Sequence, residues 1–141
     1  LNIILALLIS IPSINYFTHG THITVAHSMG TTIGINTSIL LASVVYILND
    51  LDFTIDLDSK YLGFKILNCS LIIFWISLLI AGVYKSYSMY YLKIDTISVI
   101  HENLRWVYLS FLLSGIGIFS GILMVVLPLL KKIKKILITK F

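Results

Sequence analysis

The run LGFKILNCSLIIFWISLLIAGVY, residues 62–84, decides the fold class. It holds a single charged side chain, Lys65, close to its start. A bilayer hydrocarbon core of about 30 Å takes roughly 20 apolar residues of α-helix, and a lysine near the end of such a run can snorkel to the headgroups. Backbone N–H and C=O groups in lipid must be paired within the segment, so the run is a helix and not an open strand. Outward from it, residues 23–48 contain no charge beyond whatever His27 carries, and residues 104–130 contain only Arg105, at one end. Residues 1–12 make a partial span, the end of a helix whose beginning would belong to a longer or split protein. The expectation is an all-α integral membrane protein: three full transmembrane helices plus the end of a fourth, within one transmembrane segment of a larger subunit.

Composition agrees. The chain has 141 residues, 58% hydrophobic and 11% charged, with mean hydropathy +1.01. Soluble domains carry about 25% charged residues. The net charge of +4 is concentrated: Lys131, Lys132, Lys134, Lys135 and Lys140 supply five of the ten basic side chains. Charge gathered in a tail, instead of on the face of a folded domain, excludes a nucleic-acid partner, and this hydrophobicity excludes disorder. The positive-inside rule places the tail, residues 131–141, in the cytoplasm. Counting back, 85–103 is outside, 49–61 inside and 13–22 outside. The outer 85–103 connection is rich in tyrosine (Tyr87, Tyr90, Tyr91), as an interfacial belt would be. The inner one carries Asp50, Asp52, Asp56 and Asp58 and reads as a solvated loop. Cys69 is the single cysteine, so no intrachain disulfide can form. A start at Leu1, with no basic segment or cleavage site following, argues against a secretory signal.

Gly30 and Gly34 form one GxxxG pair, Gly117 and Gly121 another. Such pairs let helices approach closely, although glycine is common in membrane helices generally. Thr31, Thr32, Asn36, Thr37 and Ser38 surround the first pair, so that helix is not expected to face lipid on all sides.

Three of the four histidines fall close together in THGTHITVAHSMG, residues 18–30. An ionisable group inside a span is expensive and marks a functional site by default. His27 lies about five residues into its helix, and neutral imidazole is a good ligand for haem iron. At about 100° per residue, His27 and Met29 are about 200° apart. They cannot share one metal, but each can serve a different cofactor on opposite faces. His22 and His27 are about 140° apart and do not chelate one ion from a regular helix. The plainer readings are a histidine held by hydrogen bonds and a methionine that packs. His19 and His22 precede the helix and read as interfacial hydrogen-bonding residues.

The run NYFTHGTHITVAHSMG, residues 15–30, resembles a signature of the bacterial nitric oxide reductase large subunit, within the haem-copper oxidase superfamily. That signature is a Thr-His-Gly turn followed by His-x-His near the outer end of the tenth of twelve helices. The resemblance implies a twelve-helix haem-copper-oxidase-like bundle, of which this chain would supply helices ten to twelve. It implies His27 as proximal ligand of a high-spin haem b and His19 as a turn residue near the haem propionates. Position 29 would ligate a low-spin haem b, and there the sequence departs from the pattern: it is Met29, not histidine. Either this branch uses methionine, which raises a haem potential, or the ligand comes from elsewhere. The ligands of the family's non-haem iron lie on earlier helices, so no catalytic residue is expected in this chain.

The function so implied is the C-terminal portion of a respiratory nitric oxide reductase catalytic subunit, inactive alone. Its partners would be the remaining helices, the lipid bilayer and a quinol or cytochrome c donor, in a bacterial inner membrane. Thr24, Ser28 and Thr31 share a stripe near His27 and can supply hydrogen bonds to it or simply bond back to helix carbonyls. His101, Glu102 and Arg105 read as an interfacial helix start, with Glu102 near the positive end of the helix dipole. Asn36 and Tyr46 are weak candidates for lining a polar path. Rival functions are a fragment of an oxygen-reducing terminal oxidase and a non-catalytic accessory or assembly membrane protein.

Overall fold

A computed structural model describes residues 2–50, 58–93 and 97–140, and every element among them is helical. Three helices are long and apolar enough to cross a membrane: His22–Ile47, Tyr61–Tyr90 and Arg105–Lys131, with mean hydropathies of 1.5, 2.4 and 2.3. Their outer surfaces suit hydrocarbon. Ile72, Ile76, Ile80 and Val83 stand exposed along one side of the second, and Leu112, Leu113, Ile116 and Phe119 along the third. Contiguous apolar surface of that kind is foreign to water-facing proteins.

The elements in chain order are α1 (Asn2–Ser10), α2 (Pro12–Thr18), α3 (His22–Met29), a π-helical segment (Gly30–Thr37), α4 (Ser38–Asp50), α5 (Asp58–Tyr90), α6 (Ile97–Asn103) and α7 (Arg105–Lys140). Helix α5 is central, packed against antiparallel α7 and against α3 with its π continuation. Small residues set both contacts. A Cβ added to Gly121 would lie 2.8 Å from the Leu67 backbone nitrogen, and one on Gly63 would lie 3.0 Å from Val125. Gly117 backs onto Ser70. Further along, Phe74 stacks on Phe111 with ring centroids 4.5 Å apart, and the Ser77 and Ser110 hydroxyls hydrogen-bond at 2.8 Å. In the second contact, Gly82 lies under the backbone of Ile23, Gly30 under Asn2 and Trp75, and Gly34 under Leu71. Both GxxxG pairs are therefore packing seams. The core between the helices is Ala26, Leu41, Leu67, Phe74, Leu78, Ile118, Val125 and Leu129.

The structure revises several connections expected from the sequence. Residues 13–22 are not a plain loop: α2 occupies most of them. Ile11 is extended and Pro12 takes the first helical position, where its lack of an N–H loses nothing. The chain then reverses at Gly20, whose φ of +71° is the left-handed conformation glycine tolerates best. Thr21 caps α3, accepting from the Ile23 N–H at 3.3 Å and donating to the Thr18 carbonyl at 2.6 Å. The 85–103 connection is likewise largely helical, because α5 runs on to Tyr90 and α6 follows. His101 and Glu102 consequently lie in the last turn of α6, not at the start of α7. The lysine-rich 131–140 stretch is a continuation of α7. Of the acidic connection, Asp50 ends α4 and Asp58 opens α5, while Asp52 and Asp56 lie outside the described residues.

At the end of the bundle where α3 begins, α2 is fastened to α5. Tyr90 donates its hydroxyl to the Tyr16 carbonyl at 3.0 Å, and Ser86 donates to the Phe17 carbonyl at 2.8 Å. The rings of Phe17 and Tyr90 meet edge to face at 4.8 Å. This clasp holds the Thr18–Thr21 turn in place and so fixes where α3 starts.

Candidate functional site

His27 is the sixth residue of α3, half-buried, one turn below the capped start. Its hydrogen-bond partner comes from another helix, 25 positions earlier in the chain: Nδ1 lies 3.3 Å from Oδ1 of Asn2, on α1. The same Asn2 amide donates from Nδ2 to Thr31 Oγ1 at 2.7 Å and to the His27 carbonyl at 3.3 Å. Thr31 spends its own hydroxyl proton on the His27 carbonyl, at 3.0 Å, and so accepts from Asn2.

These contacts determine which way the amide points. Reversing it would set the amide oxygen against a carbonyl oxygen, two acceptors with no proton between them. Oδ1 therefore faces the imidazole. An amide oxygen only accepts, so the tautomer that makes this contact a hydrogen bond is the one with its proton on Nδ1. In that tautomer the lone pair is on Nε2, which no described residue hydrogen-bonds. That is the state in which imidazole binds a metal, with its other nitrogen tied to a second partner.

Met29 lies on the far side of the same regular α-helical stretch and is exposed, at 38%. The π segment begins only at Gly30, so the 100° step holds between the two residues. The two-sided arrangement expected from the spacing is thus present as geometry. Imidazole nitrogen and thioether sulfur are both competent axial donors to haem iron, so this donor set fits a haem on either face. Ile23 and Ala26, buried one turn above, seat α3 against α5.

The other sequence candidates divide. His19 is exposed on the turn between Thr18 and Gly20; the buried members of that turn are Thr18 and Thr21. His22 does not precede the helix: it is the first residue of α3, half-buried. Its buried Nδ1 has no hydrogen-bond partner among the described residues, in place of the interfacial hydrogen bond expected from the sequence. The ring packs 5.7 Å from that of Tyr108, which also neighbours His101 at 5.5 Å. Of the hydroxyl stripe, Thr24 bonds back to the Thr21 carbonyl and Ser28 is exposed. Only Thr31 joins the His27 network. Asn36 and Tyr46 are exposed on the outer face of the first span.

Two residues that the sequence did not single out belong to the site. Asn2 orients His27, and Trp75 packs beside Gly30. With Leu71, Ile72 and Ile76 they line a largely apolar groove of about 220 Å³ next to the Asn2 amide. The available signal for Asn2 was its isolation, as the only polar residue before Ser10 in an apolar run. No three of His, Cys, Asp or Glu converge among the described residues. No protein-family model, curated protein or solved structure matches this chain.

Proposed function

We propose that this chain is the C-terminal portion of a respiratory nitric oxide reductase catalytic subunit, helices ten to twelve of a twelve-helix bundle. The reaction is 2 NO + 2 e⁻ + 2 H⁺ → N2O + H2O. The observation that carries the reading is the state of His27: Nδ1 is engaged by Asn2 and Nε2 left free, with Met29 on the opposite exposed face. The resemblance of residues 15–30 to the reductase signature supplies the chemistry; the arrangement of the side chains supports it.

In this reading His27 holds a high-spin haem b through Nε2, and Met29 holds a low-spin haem b on the other side. The haems supply redox-active iron to the site. This chain's residues do the holding and orienting. Asn2 and Thr31 fix the imidazole, Gly30 leaves room for the Asn2 amide, and the Thr18–Thr21 turn sets the depth of His27 below the helix start. The non-haem iron and its ligands belong to helices outside this chain, as do the contacts for quinol or cytochrome c. The subunit would lie in a bacterial inner membrane with the lysines of α7 on the cytoplasmic side. Sparse burial of the first span, 6% against 33% and 28% for the others, agrees with a helix that has further neighbours to meet.

His27→Ala in the assembled enzyme tests this. The expected result is loss of the high-spin haem absorption together with NO turnover. Survival of both would reject the proposal and favour an accessory membrane protein whose histidines only pack.

A further inference from the structure

We infer that Asn2 is a positioning residue: its amide selects the His27 tautomer and fixes the imidazole ring for ligation through Nε2. The inference rests on the reading of His27 as a haem ligand, and it adds a role for a residue 25 positions away in the chain. Three contacts support it. Nδ2 grips Thr31 Oγ1 at 2.7 Å, the shortest bond of the set, and thereby anchors the amide. Nδ2 also points at the His27 carbonyl, so the amide cannot reverse without bringing two acceptors together. Oδ1 is then left facing Nδ1.

Gly30 supplies an independent observation. A Cβ there would lie 2.8 Å from Asn2 Oδ1 and 3.1 Å from both Asn2 Cγ and Trp75 Nε1. The absence of a side chain at position 30 makes the space in which the amide sits. Packed between Gly30 and Trp75, the amide presents a fixed acceptor to the ring instead of an exchanging water. A fixed acceptor on the far nitrogen of a ligating histidine orients the ring and makes it a stronger donor.

The tautomer can be read without haem. The full 141-residue chain, labelled with ¹⁵N-histidine and placed in lipid nanodiscs, reports Nδ1–H against Nε2–H of the neutral ring by two-bond ¹⁵N–¹H correlations. In the wild type His27 should be predominantly Nδ1–H. Asn2→Leu should lose that predominance, and Gly30→Ala, which pushes the amide aside, should do the same. A wild-type His27 protonated on Nε2, or an unchanged tautomer in Asn2→Leu, would overturn the inference. If Asn2→Leu loses helicity by circular dichroism, the wild type and Gly30→Ala decide alone: a wild-type ring protonated on Nε2, or a tautomer unchanged in Gly30→Ala, overturns it.

In the haem-loaded assembly, Asn2→Leu should lower the iron–histidine stretching frequency in resonance Raman, read on the haem that remains bound. The two ideas fail separately. Haem retained in full by His27→Ala removes the ligand reading and leaves the tautomer result standing. Haem lost in His27→Ala, with tautomer and stretch unmoved in Asn2→Leu, removes the positioning role alone.

Discussion

Two residues apart, His27 and Met29 have opposite surroundings: one imidazole half-buried and hydrogen-bonded, one thioether exposed. Each therefore has its own test. Met29→Leu keeps size and apolarity and removes only the sulfur, so under the proposed function the low-spin haem band should disappear or shift while the haem assigned to His27 persists; an unchanged spectrum and potential would reject methionine ligation. The network around His27 contributes little to folding. Hydrogen bonds between membrane helices average about 0.6 kcal/mol, so the two Asn2 donor bonds and its contact with Nδ1 together amount to about 2 kcal/mol. Removing them should change the ring before it changes the fold. His27 was legible in the sequence because a histidine inside an apolar span stands out. Asn2 was not, because its meaning depends on a residue in another helix, and helical spacing carries no information across a chain reversal. His22 was misjudged for a related reason: its partner Tyr108 belongs to α7.

At the scale of the helix, glycine positions govern how closely α5 and α7 approach. A methyl group on Gly121 would meet Leu67 at 2.8 Å from N and 3.0 Å from Cα. Backbone atoms cannot swing aside. Overpacking of this kind costs about 1–3 kcal/mol, and Gly121→Ala should show that loss in a detergent- or denaturant-unfolding titration. Gly115 is the control: its added Cβ would meet nothing closer than Phe74 Cε2 at 4.0 Å, so Gly115→Ala should be neutral or slightly stabilising. An equal loss in both variants would mean that the seam does not depend on close approach. The long helices were legible because span length and hydropathy are properties of one segment alone. Helix α2 was not, since Pro12 starts a helix as readily as it breaks one. Nor was the π segment. There the Thr37 hydroxyl reaches back five residues to the Thr32 carbonyl, at 3.1 Å, a spacing that a search for 3.6-residue periodicity passes over. The two GxxxG pairs, by contrast, announced contacts that the structure contains.

For the molecule as a whole, the proposed orientation has a direct readout. With the lysines of α7 on the cytoplasmic side, single cysteines introduced at Tyr91 and Lys134 in a Cys69→Ser background should separate cleanly. Both positions are exposed. An impermeant maleimide should label position 91 in intact cells and position 134 only after permeabilisation; the reverse pattern would invert the topology. The central place of α5 has a further consequence, in time. The helix bearing His27 is synthesised before the helix it packs on, since Trp75 follows Gly30 by about 45 positions and translation adds about 5–20 residues per second. For about 2–9 s the glycine face of that helix has no α5 to rest against. Whatever shields it during that interval acts on the nascent protein, ahead of any assembly of the finished one.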